Sequence, residues 1–187
     1  ASFSSPTEFA VNANAVSVAV GDFNGDGVAD LASASNYFGI SVLLGTGGGA
    51  LAPAVTYLPS ASLREIAVAD LNYDGILDIA AANYDAMGVS VLEGLGDGTF
   101  GLPQHYRAGS YPRDLTLGDF DGDAKLDIAL TFAERTDVAI LIGNGDGSLR
   151  PPAYYPTGTN VMDVVDGDFD GDGRLDLAVV NYSSDTV

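Results

Sequence analysis

Acidic and amide side chains recur at alternate positions in four short segments of this 187-residue chain. The first is residues 22–30, reading Asp-Phe-Asn-Gly-Asp-Gly-Val-Ala-Asp. Residues 70–78, 119–127 and 168–176 repeat the phrase with small changes. Oxygens at positions 1, 3 and 5 of so tight a loop can converge on one point. A main-chain carbonyl at position 7 and a carboxylate at position 9 can complete the shell. Hard divalent cations take such sets, and calcium accepts six to eight oxygens at about 2.3–2.6 Å. The spacing therefore predicts four calcium sites, about one ion per loop. The first uses Asp22, Asn24, Asp26, the carbonyl of Val28, and Asp30. The second uses Asp70, Asn72, Asp74, the carbonyl of Ile76, and Asp78. The third uses Asp119, Asp121, Asp123, the carbonyl of Lys125, and Asp127. The fourth uses Asp168, Asp170, Asp172, the carbonyl of Arg174, and Asp176.

Position 7 varies among Val, Ile, Lys and Arg, which fits a role for its carbonyl alone. Gly27, Gly75 and Gly173 stand at position 6, where the loop must turn sharply. Ala124 takes that place in the third loop and disfavours positive φ, so this loop is expected to be strained or differently folded. The first six positions resemble a helix–loop–helix calcium loop. Position 12 breaks the likeness, being Ser33, Ala81, Leu130 or Val179 instead of glutamate. Fourteen of the 26 acidic residues lie in the four loops, and crowding them without a cation would cost like-charge repulsion.

The elements around the loops repeat with them. First aspartates lie 48, 49 and 49 residues apart. A short apolar strand is predicted before each loop, at 16–20, 66–69, 115–118 and 164–167. A second follows at 31–34, 79–82, 128–132 and 177–180, and a third at 40–44, 89–92 and 138–142. A glycine-rich turn comes next, then a tyrosine-bearing strand near 55–58, 105–107 and 154–155. The runs are short, β-branched and bounded by Gly, Pro, Asn and Asp, and no window holds a helical period. Four strands per repeat predict an all-β fold, a β-propeller of four-stranded antiparallel blades with about four blades over residues 1–187. Gly21, Ala69, Gly118 and Gly167 share one position before the loop, as the crowded innermost strand requires.

The chain ends are in phase. Phe3 aligns with Leu51, Phe100 and Leu149, and Val187 aligns with Val138. An outermost strand is thus expected near residues 8–11, and inner strands of a blade at the C-terminus. End-to-end pairing between copies could complete a blade and hide two open edges.

Composition narrows the functions. The formal charge of −19 repels nucleic acid and anionic membranes. The chain contains no cysteine, which excludes disulfides and thiolate chemistry. No segment reaches the ~18 apolar residues of a membrane helix, so no membrane insertion is expected. No signal peptide is read at Ala1.

The loops, together with turns such as residues 141–149 (Leu-Ile-Gly-Asn-Gly-Asp-Gly-Ser-Leu), resemble FG-GAP/VCBS repeats. Those are the blades of integrin α-subunit propellers and of many bacterial secreted proteins. The resemblance covers nearly the whole chain. It implies a calcium-bearing propeller, usually extracellular and of about seven blades. Four copies depart from that number. They leave open a four-bladed ring, a fragment, or two chains joining into about eight blades.

The resemblance also implies a non-enzymatic recognition module for a glycan or a protein. Tyr37, Tyr84 and Tyr182 follow the second strand in an Asn-Tyr phrase and are read at one repeat position, facing a ligand or packing between blades. Arg64 and Arg113 share another position, with Glu65, Asp114 and Asp163 beside them. They are read as surface ion pairs, or as the lining of one mouth of the channel. Glu93 and Asp166 break an apolar pattern. His105 is the only histidine and carries no nucleophile motif with it, so no catalytic residue is assigned. Two alternatives stand beside recognition: a self-assembling structural fragment, and an accessory domain of a secreted carbohydrate-active enzyme.

Overall fold

A computed structural model describes residues 7–184 and 186–187 of the chain. Phe3 lies outside the described residues. Sixteen strands form, and none of the described residues is helical. The first repeat contains β1 (Ala15–Gly21), β2 (Asp30–Ser35), β3 (Gly39–Leu43), a small hairpin of β4 (Gly45–Gly47) and β5 (Ala50–Leu51), and β6 (Val55–Tyr57). The second contains β7 (Leu63–Ala69), β8 (Asp78–Asn83), β9 (Gly88–Leu92) and β10 (Gln104–Arg107). The third contains β11 (Pro112–Gly118), β12 (Asp127–Phe132), β13 (Asp137–Leu141) and β14 (Ala153–Pro156), and the fourth β15 (Val161–Gly167) and β16 (Asp176–Asn181).

Each repeat folds as an antiparallel meander, in the orders β1-β2-β3-β6, β7-β8-β9-β10 and β11-β12-β13-β14. The fourth sheet holds β15 and β16 alone. The expected propeller architecture is present as an open array of three full blades and a half-blade. Strands β1, β7, β11 and β15 lie side by side along the inner edge. Each metal-type loop joins this inner strand to the second strand of its blade.

Apolar side chains of β-branched and small residues fill the space between neighbouring sheets. One cluster sits between the first two blades, around Phe23, Ile40, Ile66 and Phe100. Another joins the second and third, around Val89, Leu115, Ile128 and Phe132. The inner strands approach closely. A Cβ on Gly21 would lie 2.6 Å from Leu77 Cδ1, and one on Gly118 2.7 Å from Leu175 Cδ1. A side chain at either place would have to push aside the leucine end of the following blade, and the position is held by glycine or, in the second repeat, by Ala69.

The inner strands alternate in the direction they face. Ser17 bonds forward to Glu65 of the next blade, whereas Val16, Val18 and Val20 face backward. Ile66, Leu115 and Val164 hold the place of Val18 in later blades and are buried at 4–5% exposure, while Val18 is 61% exposed. At the far end, Phe169 is 61% exposed where Phe23 and Leu71 are buried. Both ends of the array therefore present uncovered apolar faces.

The N-terminal segment corrects the expectation drawn from phase. Residues 7–12 form no strand. Asn12 donates from its main-chain N to Ser41 Oγ (2.9 Å) and from Nδ2 to the carbonyl of Phe38 (2.8 Å), which holds the segment on its own blade. Strand β6 already fills the outer place there. The half-blade packs against the third blade, at the opposite end of the stack.

Candidate functional site

The four loops fold alike. In the first, Asp22 accepts from the main-chain N of Asp26 (3.1 Å) and of Gly27 (2.8 Å). Asn24 Oδ1 accepts from the same Asp26 N (3.0 Å), and Asp26 Oδ1 from Val28 N (2.7 Å). Asp70, Asn72 and Asp74 repeat this in the second loop, ending on Ile76 N. Asp119, Asp121 and Asp123 do so in the third, ending on Lys125 N. Asp168, Asp170 and Asp172 do so in the fourth, ending on Arg174 N. These side-chain bonds to nearby amides wind each chain segment into a ring of acceptors.

In the third loop one carboxylate oxygen each of Asp119, Asp121 and Asp127 lies within 4.8 Å of the others, and Asp168, Asp170 and Asp176 match this in the fourth. Positions 1, 3 and 9 thus come together, a donor set that fits a hard cation. The fifth-position aspartate is in neither group, and its Oδ1 accepts from the amide two residues on. The first two loops have asparagine at position 3, so their group offers one carboxylate fewer.

Position 9 does more than its spacing revealed. Asp30 Oδ2 accepts from Phe23 N (2.8 Å) and its Oδ1 from Gly45 N (2.6 Å). Asp78 links Leu71 N (2.9 Å) to Gly94 N (2.8 Å), and Asp127 links Phe120 N (2.9 Å) to Gly143 N (2.8 Å). All three are at most 1% exposed. Each clasps the start of the loop to the glycine-rich turn after the third strand. Burial pushes the carboxyls of Asp78 and Asp127 above their ordinary range, against the lowering effect of these amides. Asp176 has only the Phe169 N bond (3.0 Å) among the described residues.

Ala124 keeps the common loop conformation with φ of 65°, so the third loop accepts strain and does not refold. Tyr73 was not singled out from sequence, yet it stands at position 4, where Gly25, Gly122 and Gly171 hold positive φ, and it adopts 61°. Its hydroxyl donates to the Ala124 carbonyl (3.0 Å) and bridges the second and third loops. A tyrosine in a glycine position was the available signal. The third loop also carries its own cations: Lys125 Nζ lies 3.0 Å from Asp123 Oδ2 and Arg150 Nη1 3.9 Å from Asp121 Oδ2. The Lys125 bond holds Asp123 below the usual carboxylate range.

Glu93 is exposed and accepts from Asn72 Nδ2 (3.2 Å), beside the second loop. Asp166 accepts from the Thr116 hydroxyl and ties the half-blade to the third blade. His105 lies exposed on outer strand β10, as expected, with Nδ1 2.7 Å from Oγ of buried Ser90. The tyrosines do not share one position. Tyr84 N and Tyr182 N bond to Ser62 O and Asn160 O, whereas Asn36 N makes the matching bond to Asn14 O. Tyr37 is therefore one residue late. The hairpin from β2 to β3 pairs Ser35 with Gly39, while that from β8 to β9 pairs Asn83 with Gly88, one residue longer. The same deletion explains the 48-residue spacing. Arg64 and Arg113 form no ion pair among the described residues, contrary to the surface-pair reading.

A groove of about 1220 Å³ opens between the first two blades. Tyr57, Phe100, Asp85, His105 and Arg107 line it.

A model of the FG-GAP-like repeat matches residues 70–130 and 119–179, and one of the FG-GAP repeat matches residues 14–52. The chain belongs to the FG-GAP repeat family. Among solved structures, this FG-GAP array is similar to an Agrocybe aegerita lectin described as recognising non-reducing terminal N-acetylglucosamine. Identity is 20%, the TM-score 0.61, and the likeness covers 87% of this chain and 46% of that one. It is also similar to a Photorhabdus luminescens Tc holotoxin pore, at 20% identity and a TM-score of 0.50, over 89% of this chain and 8% of that one. The FG-GAP array thus spans less than half the length of either. No curated protein sequence matches it closely enough to count as a relative.

Proposed function

We propose that this array is a calcium-binding propeller module that recognises a glycan or a protein outside the cell, without catalysis. The groove between the first two blades carries the reading. Its volume of about 1220 Å³ suits an extended ligand, and it combines two aromatic rings with an acid, an imidazole and a guanidinium. The Tyr57 ring, with buried Phe100 packed edge-on against it, would stack on a sugar ring, while the polar groups take its hydroxyls. The likeness to an N-acetylglucosamine lectin supports the glycan class. Calcium would be held at positions 1, 3 and 9 of each loop, with the position 7 carbonyl. There it would supply positive charge that fixes the loop. Family and acidity together favour a calcium-rich, extracellular setting.

A glycan array probed in calcium and again in excess EGTA tests this. Binding that is selective and weakens in EGTA is the expected result. Absence of binding to glycans, together with none to extracellular-protein panels, would refute it.

A second reading, self-assembly, is favoured by the exposed Val18 and Phe169 at opposite ends of the array. Light scattering across concentrations tests it, and a strictly monomeric particle would rule it out.

A further inference from the structure

A second cavity, of about 430 Å³, opens where the inner strands of the four repeats begin. The inner strands all bulge here. Register shifts fall between Leu63 and Ile66 in the second blade, and between Pro112 and Leu115 in the third. Bulges re-aim side chains, and they concentrate beside functional sites. Arg64 with Glu65, and Arg113 with Asp114, sit in these bulges and line the cavity. The metal-type loops leave the other end of the same strands, several residues away at ~3.3 Å each.

The charges in this cavity are unequally satisfied. Glu65 accepts from the Ser17 hydroxyl and from Ile66 N (3.2 Å). Asp114 accepts from Leu115 N (2.9 Å) and from Val164 N (2.8 Å) of the next blade. Arg64 and Arg113 are half-buried, yet neither guanidinium makes a hydrogen bond or an ion pair among the described residues. In a chain with 26 acidic and 7 basic residues, two unpaired guanidiniums lining one cavity are out of pattern. Withdrawing a charge from water without a partner is costly, and a guanidinium fork matches a carboxylate. Tyr84 and Tyr111 complete the wall, their rings edge to face at 5.3 Å.

We propose that this cavity binds a sugar bearing a single carboxylate, gripped by Arg64 and Arg113. The inference rests on the glycan reading above and names a second subsite for it. The acidic groups beside the arginines (Glu65, Asp114 and Asp163) repel a polyanion but accept hydrogen bonds from the hydroxyls of a monoanionic sugar. The tyrosine rings offer it an apolar face. The volume suits one or two sugar rings.

The test measures binding of methyl glycosides of glucuronic, galacturonic and N-acetylneuraminic acid to the calcium-loaded chain by calorimetry. Methyl glucoside and methyl galactoside serve as neutral partners. At least one acidic glycoside should bind about tenfold or more tighter than the neutral sugars, since a hydrogen bond to a charged group is worth ~1.5–3 kcal/mol. Arg64→Gln and Arg113→Gln should each abolish that preference, and Arg113→Lys should restore part of it. Unchanged circular dichroism and melting show that the variants are folded. Equal binding of acidic and neutral sugars, loss of neither preference in the glutamine variants, or no binding of any acidic glycoside would overturn the proposal. Neutral glycan binding that ignores both arginine variants would sink this inference and leave the groove reading standing.

Discussion

Replacing the ninth aspartate of a loop separates its structural role from any metal. In Asp78→Ala the amides of Leu71 and Gly94 lose their acceptor, at 2.9 and 2.8 Å, in a place only 1% exposed. A buried amide left without a partner costs about 1–3 kcal/mol, so two cost about 2–6 kcal/mol. Relief of the carboxylate's own desolvation, seen in the raised pKa of Asp78, offsets part of this. A net loss of about 2–4 kcal/mol is expected. Asp176→Ala frees one amide, Phe169 N, in an exposed place where water replaces the carboxylate, and a loss of at most about 1 kcal/mol is expected. Urea unfolding of both variants in excess EGTA removes the metal from the comparison. At a slope of about 2–3 kcal/mol per molar, Asp78→Ala moves the midpoint down by about 1 M and Asp176→Ala by less than half that. Equal midpoints for the two variants, or an Asp78→Ala midpoint within error of wild type, would refute the clasp.

Calcium at ten times Kd should add about 1.4 kcal/mol per filled site, and an unchanged melting temperature between calcium and EGTA would count against the sites. Ala124→Gly should stabilise the metal-free chain by up to about 1 kcal/mol, because it removes a left-handed alanine at some cost in unfolded-state entropy. A destabilisation, read by the same urea assay, contradicts the strain at φ 65°. The Asp114 carboxyl is pushed up to about 7, first by burial and then by its bond to Asp163. The native state therefore holds this proton more tightly than the unfolded chain, so the group's stabilisation is complete below its ordinary 3.8 and is lost as pH rises through about 7. Melting of metal-stripped protein should fall from pH 5 to 8, with a shallower fall in Asp114→Asn, and identical slopes would exclude that origin.

The blade strands and the loops were legible because their signals are local and were repeated in phase. Gly21 and Gly118 could be read as close approaches from position alone, and Leu77 and Leu175 supply the physical cause. Four features escaped for definable reasons. The Asn-Tyr phrase of Tyr37 starts one residue late in a hairpin that is itself one residue shorter, and dipeptide matching registers neither. The pair of hydrogen bonds accepted by Asp78 requires a glycine 16 residues downstream, and no spacing rule for the loop contains it. The fate of residues 7–12 depended on which partner edge is near, a question of the assembled array. The groove between blades arises from residues in two repeats at different positions, so no single repeat displays it.

The alternate facing of the inner strands has a consequence for how such blades combine. Ser17 points one way around the array and Val18 the other, and every later blade keeps this sense. The two uncovered ends are therefore unlike, as are the two ends of an arrow. A contact between them is heterologous, so copies joined through it follow one another in a single rotational direction. Such a contact either closes as a ring or continues as a helix, and its closure is set by the angle between successive blades. A twofold, face-to-face pair would bring like ends together and would have to use some other surface.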